Sequence, residues 1–160
     1  MARAFAAKGR DLALCARRLD RLDELKAELT RQHPGITVAV AALDVNDHDQ
    51  VPKVFAELED QLGGIDRVIV NAGIGKGAPL GSGKLWANKQ TIETNLVAAL
   101  VQIETAIEMF KNADGGHLSS GTRGGPPLGA GQTIWRSGGG SVALPGCRRG
   151  RAGSRWPSPP

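Results

Sequence analysis

Residues 66–81 read DRVIVNAGIGKGAPLG, an apolar stretch running straight into glycines. The run from Ile65 to Val70 is short and β-branched, as a buried strand requires. The glycine-rich continuation admits two readings: a loop that wraps a phosphate and opens a helix, or a strand end bordering a cofactor. Residues 73–78, GIGKGA, fit G-x-G-x-x-A, and Glu93 lies 20 residues on, which imitates the dinucleotide fingerprint. That fingerprint needs a helix opening directly from the glycines, so that its first amides face the pyrophosphate. Pro79, Gly81 and Gly83 intervene here, and Glu93 falls inside a predicted helix. GSGKL at 81–85 imitates a phosphate loop, but Ala78 replaces the first glycine and Leu85 the hydroxyl residue that binds magnesium. The stretch is therefore read as a strand ending in Asn71-Ala72-Gly73, at the rim where open α/β sheets bind ligands.

Outward from it, elements alternate. Residues 2–9 read as the end of a helix capped by Gly9. DLALCAR at 11–17 is a buried parallel strand, and the next helix carries Leu19, Leu22, Leu25 and Leu29 at helical spacing. ITVAVAALDV at 36–45 is a second strand. Asn46 or Asp47 caps a helix with Val51, Val54, Phe55, Leu58 and Leu62 on one side, and glycines 63 and 64 end it. After the 65–73 strand and the 73–83 loop, Lys84 to Asn112 forms one long helix with an apolar stripe too broad for a lone surface helix. GGHLSS begins a further strand. The rhythm predicts an α/β fold, a doubly wound parallel sheet covered on both faces.

Composition divides the chain after Asp114. The remainder holds 13 of the 22 glycines, six of the nine prolines, six of the 20 basic residues and none of the 16 acids. It buries too little apolar surface to offset its ordering entropy, so residues 121–160 are expected to be a disordered tail behind a domain of residues 1–120. The net charge of +4 belongs to that tail. A basic tail with no folded scaffold is a poor nucleic-acid binder, so nucleic acid is not expected as a partner. Two cysteines, Cys15 and Cys147, make no disulfide framework. No apolar run is long enough to span a membrane, and the first ten residues lack a secretory signal's apolar core, so a cytoplasmic protein is expected. No Cys/His spacing suggests a metal, and His33, His48 and His117 read as structural.

Several motifs, in this order and spacing, resemble the short-chain dehydrogenase/reductase family. Asn71-Ala72-Gly73 matches three of the four positions of that family's N-N-A-G motif, with Val70 in place of the first Asn. The resemblance implies a backbone passing close to the adenine ribose of a nicotinamide coenzyme. LCARRLDRLDEL resembles the family's second strand and following helix; Arg17 and Arg18 then stand where the adenosine 2′ position is read, and two cations favour NADP over NAD. LDV at 43–45 resembles the third-strand end, with Asp44 accepting from the adenine amino group and Val45 packing on the ring. ETNLVAAL places Asn95 where the family's active-site Asn holds a water of the proton relay through a helix irregularity. GGHLSSG resembles the strand bearing the catalytic Ser. Ser120 is the candidate, and Ser119 is the alternative because the strand is short.

The likeness covers about residues 1–120. The family's first strand and pyrophosphate-cradling loop precede the point where this chain starts, inside the following helix. The family's Tyr-x-x-x-Lys is also missing. Thr133 takes the Tyr position, the chain contains no Tyr, and Lys111 is its last Lys. In the family's strand order the missing strand is central, so its two neighbours are expected to expose facing edges of unpaired backbone groups. The tail's Gly, Arg, Pro, Ser and Trp mix is what a GC-rich coding sequence yields out of frame; an intact shifted frame encoding Tyr-x-x-x-Lys is the observation this requires. The implied function is an NADP-dependent carbonyl/alcohol oxidoreductase, inactive as this chain. The rival is a non-catalytic interaction protein, homo-oligomeric through the 84–112 helix.

Overall fold

The computed structural model describes residues 1–113 and 115–120, with the backbone of 132–136. Elements run α1 (Ala2–Ala6), β1 (Asp11–Ala16), α2 (Leu19–Gln32), β2 (Val38–Ala42), α3 (Gln50–Leu62), β3 (Arg67–Val70), α4 (Leu85–Ile92), α5 (Ala98–Asn112), β4 (His117–Ser120) and β5 (Gln132–Arg136). One π-helical turn, Glu93–Val97, joins α4 to α5. The 84–112 helix is thus one rod with an irregularity at its middle.

β1 is paired parallel with β2, and β3 parallel with β4. β1 shows why the sheet is doubly wound. Leu12 and Leu14 pack with Leu22 and Leu29 of α2 and Ala6 of α1. Ala13 and Cys15 point the other way, into a cluster with Phe55 and Leu58 of α3 and Ala99 and Ala106 of α5. Strand side chains alternate between faces, so a run buried on both must be apolar throughout. Each fully buried Leu or Phe contributes about 1.5–3 kcal/mol. α1 is held to α2 by Arg3, which donates from Nε and Nη2 to the two Glu28 oxygens at 2.6 and 2.7 Å. That pairing keeps the Glu28 carboxyl below its usual range. α3 stops at Gly63, whose φ of +68° lets the chain turn back while Gly64 N–H caps the Glu59 carbonyl at 3.0 Å.

Two expectations change. Neither Asn46 nor Asp47 caps α3: the helix begins at Gln50 behind Asp49, and no side chain bonds its first amides. The Asn46 amide is engaged by Asp44 and Thr94 instead. The second change concerns the tail. Gln132–Arg136 is a strand, and it lies between β1 and β3 in the order β2-β1-β5-β3-β4. It runs antiparallel to both. The facing edges expected to stand open are therefore paired, with Ile134 opposite Ala13 and Val68. Two buried edges of unpaired N–H and C=O groups cost more than ordering five residues, which overrides the segment's poor composition. Thr133 sits within this strand. The remaining residues expected to be disordered, 121–131 and 137–160, lie outside the described residues.

The long helix also packs unlike its apolar stripe suggests. Its buried face is small and polar: Ala98, Ala99, Gln102, Thr105 and Ala106. Leu85, Ile92, Leu96 and Leu100 face outward, Leu96 being 65% exposed and Leu100 54%.

Candidate functional site

β5 is antiparallel to both neighbours, so β1 and β3 run the same way, and the four strands β1 to β4 end on one edge. Arg17 follows β1 directly, Asp44 lies two residues beyond β2, Asn71 follows β3, and Ser120 ends β4. A pocket of about 100 Å³ opens at this edge, with Arg17, Asp44, Val45, Ala72 and Gly73 in its wall. Five of the nine sequence-selected residues therefore meet around one space. Arg18, exposed ahead of α2, Asn71, Asn95 and Ser120 do not line it.

Asn95 stands on the π-helical turn. Its Oδ1 accepts from Ile74 N–H at 2.7 Å, and its Nδ2 donates to the Ile74 carbonyl at 2.9 Å. The side-chain amide thus pairs with the main-chain N–H and C=O of one residue, as a neighbouring antiparallel strand would. Asn88 on α4 makes a second tie, accepting from Ala78 N–H at 2.7 Å. These bonds tie down the 73–79 segment, residues 80–83 form a turn, and no helix opens until Leu85, so neither glycine pattern forms the phosphate-binding turn it imitates. Gly73 packs beside the pairing of Asn95 with Ile74: a Cβ there would lie 3.4 Å from Asn95 Oδ1, an ordinary van der Waals contact.

Asp44 is held from one side. Its Oδ1 accepts from Asn46 N–H at 3.1 Å and from Asn46 Nδ2 at 3.2 Å. Thr94, beside Asn95 and 6% exposed, donates to Asn46 Oδ1 at 3.1 Å. His48 Nε2 approaches Glu93 Oε1 to 3.5 Å between the same segments without forming a hydrogen bond. Burial pushes the Cys15 thiol, in the pocket floor, up to about 12, so it stays protonated and inert. In β4, Ser120 is in register with Val70 and Ser119 with Ile69, so the two hydroxyls leave opposite faces of the sheet. Ser120 shares the α3–α5 face.

Sequence reasoning missed Asn46, Thr94, Asn88, Lys76 and Gln90. The last two line the pocket, as do Asn46 and Thr94. Asn46 and Thr94 each lie within two positions of a residue that was selected, which was the available signal. Among the described residues no group of acids, His and Cys is arranged to hold a metal, and no helix is long and apolar enough to cross a membrane.

Comparison with known proteins meets this geometry. A family model described as short chain dehydrogenase matches residues 1–119. An uncharacterized oxidoreductase of Mycobacterium tuberculosis (strain H37Rv) is 78% identical over 118 residues, covering 74% of this chain and 47% of the relative. Dehydrogenase/reductase SDR family member 11 of Gallus gallus is 30% identical over 121 residues, covering 74% and 47%. Among solved structures, an alcohol dehydrogenase of Thermococcus sibiricus complexed with 5-hydroxy-NADP is similar with a TM-score of 0.67 at 30% identity, covering 74% of this chain and 50% of that one. An NADPH-dependent 3-quinuclidinone reductase of Rhodotorula rubra has a TM-score of 0.68 at 28% identity, covering 74% and 45%. The chain spans about half the length of the relatives it matches.

Proposed function

The chain belongs to the short-chain dehydrogenase family, and on that premise we propose that its carboxyl-rim pocket takes the adenosine end of a nicotinamide coenzyme, NADP in preference to NAD. The observation that carries this reading is the meeting of the ends of β1, β2 and β3 around one pocket. Its size supports a partial fit. At about 100 Å³ it suits a base-sized group, where whole ligands need roughly 300–1,000 Å³. One wall offers the Asp44 carboxylate to an amino group, Val45 an apolar face to a ring, and Arg17 a cation at the mouth. Arg18 follows Arg17, and a charge-assisted bond to a 2′-phosphate contributes roughly 1.5–3 kcal/mol. The similar Thermococcus enzyme is complexed with 5-hydroxy-NADP and the Rhodotorula reductase is NADPH-dependent, which accords with this choice.

When bound, the coenzyme supplies a hydride at C4 of its nicotinamide ring, and a carbonyl or alcohol is the substrate class. Ser120, at the end of β4, is the hydroxyl assigned to the substrate oxygen, and Asn95 holds the loop beside it. The chain has no Tyr to deliver the proton. A positioned general acid contributes about 10²–10⁴ in rate. The polypeptide therefore binds coenzyme without sustaining turnover. Titration with NADPH, followed by tryptophan fluorescence and thermal shift, tests this. Saturable binding at micromolar concentration, tighter than for NADH and without NADPH consumption over a carbonyl panel, is expected. No binding by either coenzyme overturns the reading.

A second reading is a non-catalytic subunit that pairs with its own copy. The outward stripe Leu85, Ile92, Leu96 and Leu100 favours it, because an exposed apolar patch of this kind marks an interaction site.

A further inference from the structure

Three threonines on the α4–α5 rod are hydrogen bonded, and they divide into two kinds. Thr91 donates to the Ala87 carbonyl at 2.9 Å and Thr105 to the Val101 carbonyl at 2.9 Å. That is the ordinary bond of a helical threonine, back to the preceding turn. Thr94 leaves its own helix and donates across 48 positions to Asn46 Oδ1 at 3.1 Å. It does so from the π-helical turn, while buried.

The acceptor continues the chain. With its carbonyl oxygen fixed by Thr94, the Asn46 amide has its NH₂ group aimed at Asp44, and that group and the Asn46 backbone N–H both bond Oδ1. Among the described residues nothing bonds Asp44 Oδ2. One carboxylate oxygen is thus tied down and the other is presented. Thr94, Asn46 and Asp44 all line the same pocket.

We propose that Thr94 and Asn46 are positioning residues that orient Asp44 to accept from the exocyclic amino group of adenine, making the pocket select adenine over a 6-oxo purine. The inference deepens the cofactor reading and rests on it. A carboxylate whose free oxygen has a fixed direction rewards a donor there. It opposes an oxygen at the same place, because two acceptors face each other. The chain also ties base recognition to the turn bearing Asn95, since Thr94 and Asn95 are consecutive. Base and loop are therefore held by adjacent residues of one irregular turn.

The experiment compares wild type with Thr94→Val, Thr94→Ser and Asn46→Ala. NADPH and its hypoxanthine analogue, in which oxygen replaces the 6-amino group, are titrated against each. Hydrogen exchange of the Asn46 amide is followed without ligand. Thr94→Val should weaken NADPH roughly three- to tenfold, the worth of one neutral hydrogen bond, and leave the analogue unchanged. The Asn46 amide should exchange faster in the same variant. Thr94→Ser should restore both, because it keeps the hydroxyl. Asn46→Ala, at an exposed position, should abolish the preference without unfolding the chain. Equal losses for both dinucleotides, or unchanged exchange at Asn46, overturn the positioning role while leaving coenzyme binding intact. Failure of wild type to bind NADPH overturns the cofactor reading, and this selectivity with it.

Discussion

Asn95 pairs with both the main-chain N–H and the C=O of Ile74, at 2.7 and 2.9 Å, across 21 positions of sequence. Removing it leaves a half-buried N–H and C=O without their partner. Asn95→Ala should cost about 1–3 kcal/mol in chemical denaturation. Asn95→Asp should cost at least as much, because a carboxylate accepts from Ile74 N–H but repels its carbonyl. Amide exchange at Ile74 should accelerate in both variants. If exchange there matches wild type, the pairing does not hold the loop.

The central strand makes a sharper prediction. Ile134 is opposite Ala13 on one side and Val68 on the other. Ile134→Pro removes a donor from a strand bonded on both flanks, a position where proline is not tolerated. The variant should lose cooperative unfolding and aggregate, since β1 and β3 would present open edges. A monomeric variant with wild-type melting would show that 132–136 is not needed between them.

The proposed preference for NADP rests on Arg17 and Arg18. Replacing both with Ala should weaken NADPH roughly ten- to a hundredfold and NADH little. The NADPH advantage should also shrink as salt rises, because both guanidinium groups are exposed. Equal losses for NADPH and NADH would place the pair outside the 2′ subsite.

The outward stripe predicts a concentration-dependent size. Sedimentation of the wild type should show self-association, and Leu96→Lys with Leu100→Lys should convert it to monomer with the same helix content. A wild type that stays monomeric at every concentration removes the interaction reading.

Cys15 carries a pH dependence with a definite sign. Burial raises its thiol from 9.0 to about 12. Below pH 9 the thiol is protonated in both folded and unfolded chains and has no effect. Between pH 9 and 12 the unfolded chain gives up the proton and the folded one does not. Stability should fall across that window, by up to about 1.4 kcal/mol per pH unit. In a Cys147→Ser background a thiol reagent at pH 8 should react only after denaturant is added. Rapid labelling of the native chain would contradict the buried placement.

Much of this protein was legible before any coordinates. The strands β1 to β4 and the helices between them arise from local signals, while the rim residues Arg17, Asp44, Asn71 and Ser120 were indicated by the likeness of their motifs to the family. Apolar runs of strand length, helical leucine spacing and glycine stops each act within a few residues. Long-range pairings were not legible. Nothing near Asn46 announces Thr94, and nothing in QTIWR announces a central strand. Outward-facing Leu96 and inward-facing Gln102 likewise reverse what hydropathy alone suggests, because the helix lies close against α3 and the sheet through its small residues. Local periodicity thus determined β1 to β4 and the helices between them, but not β5. Only the folded chain decided which backbone edges and side-chain amides found partners, because an unpaired buried polar group is costly enough to recruit a partner from any distance along the sequence.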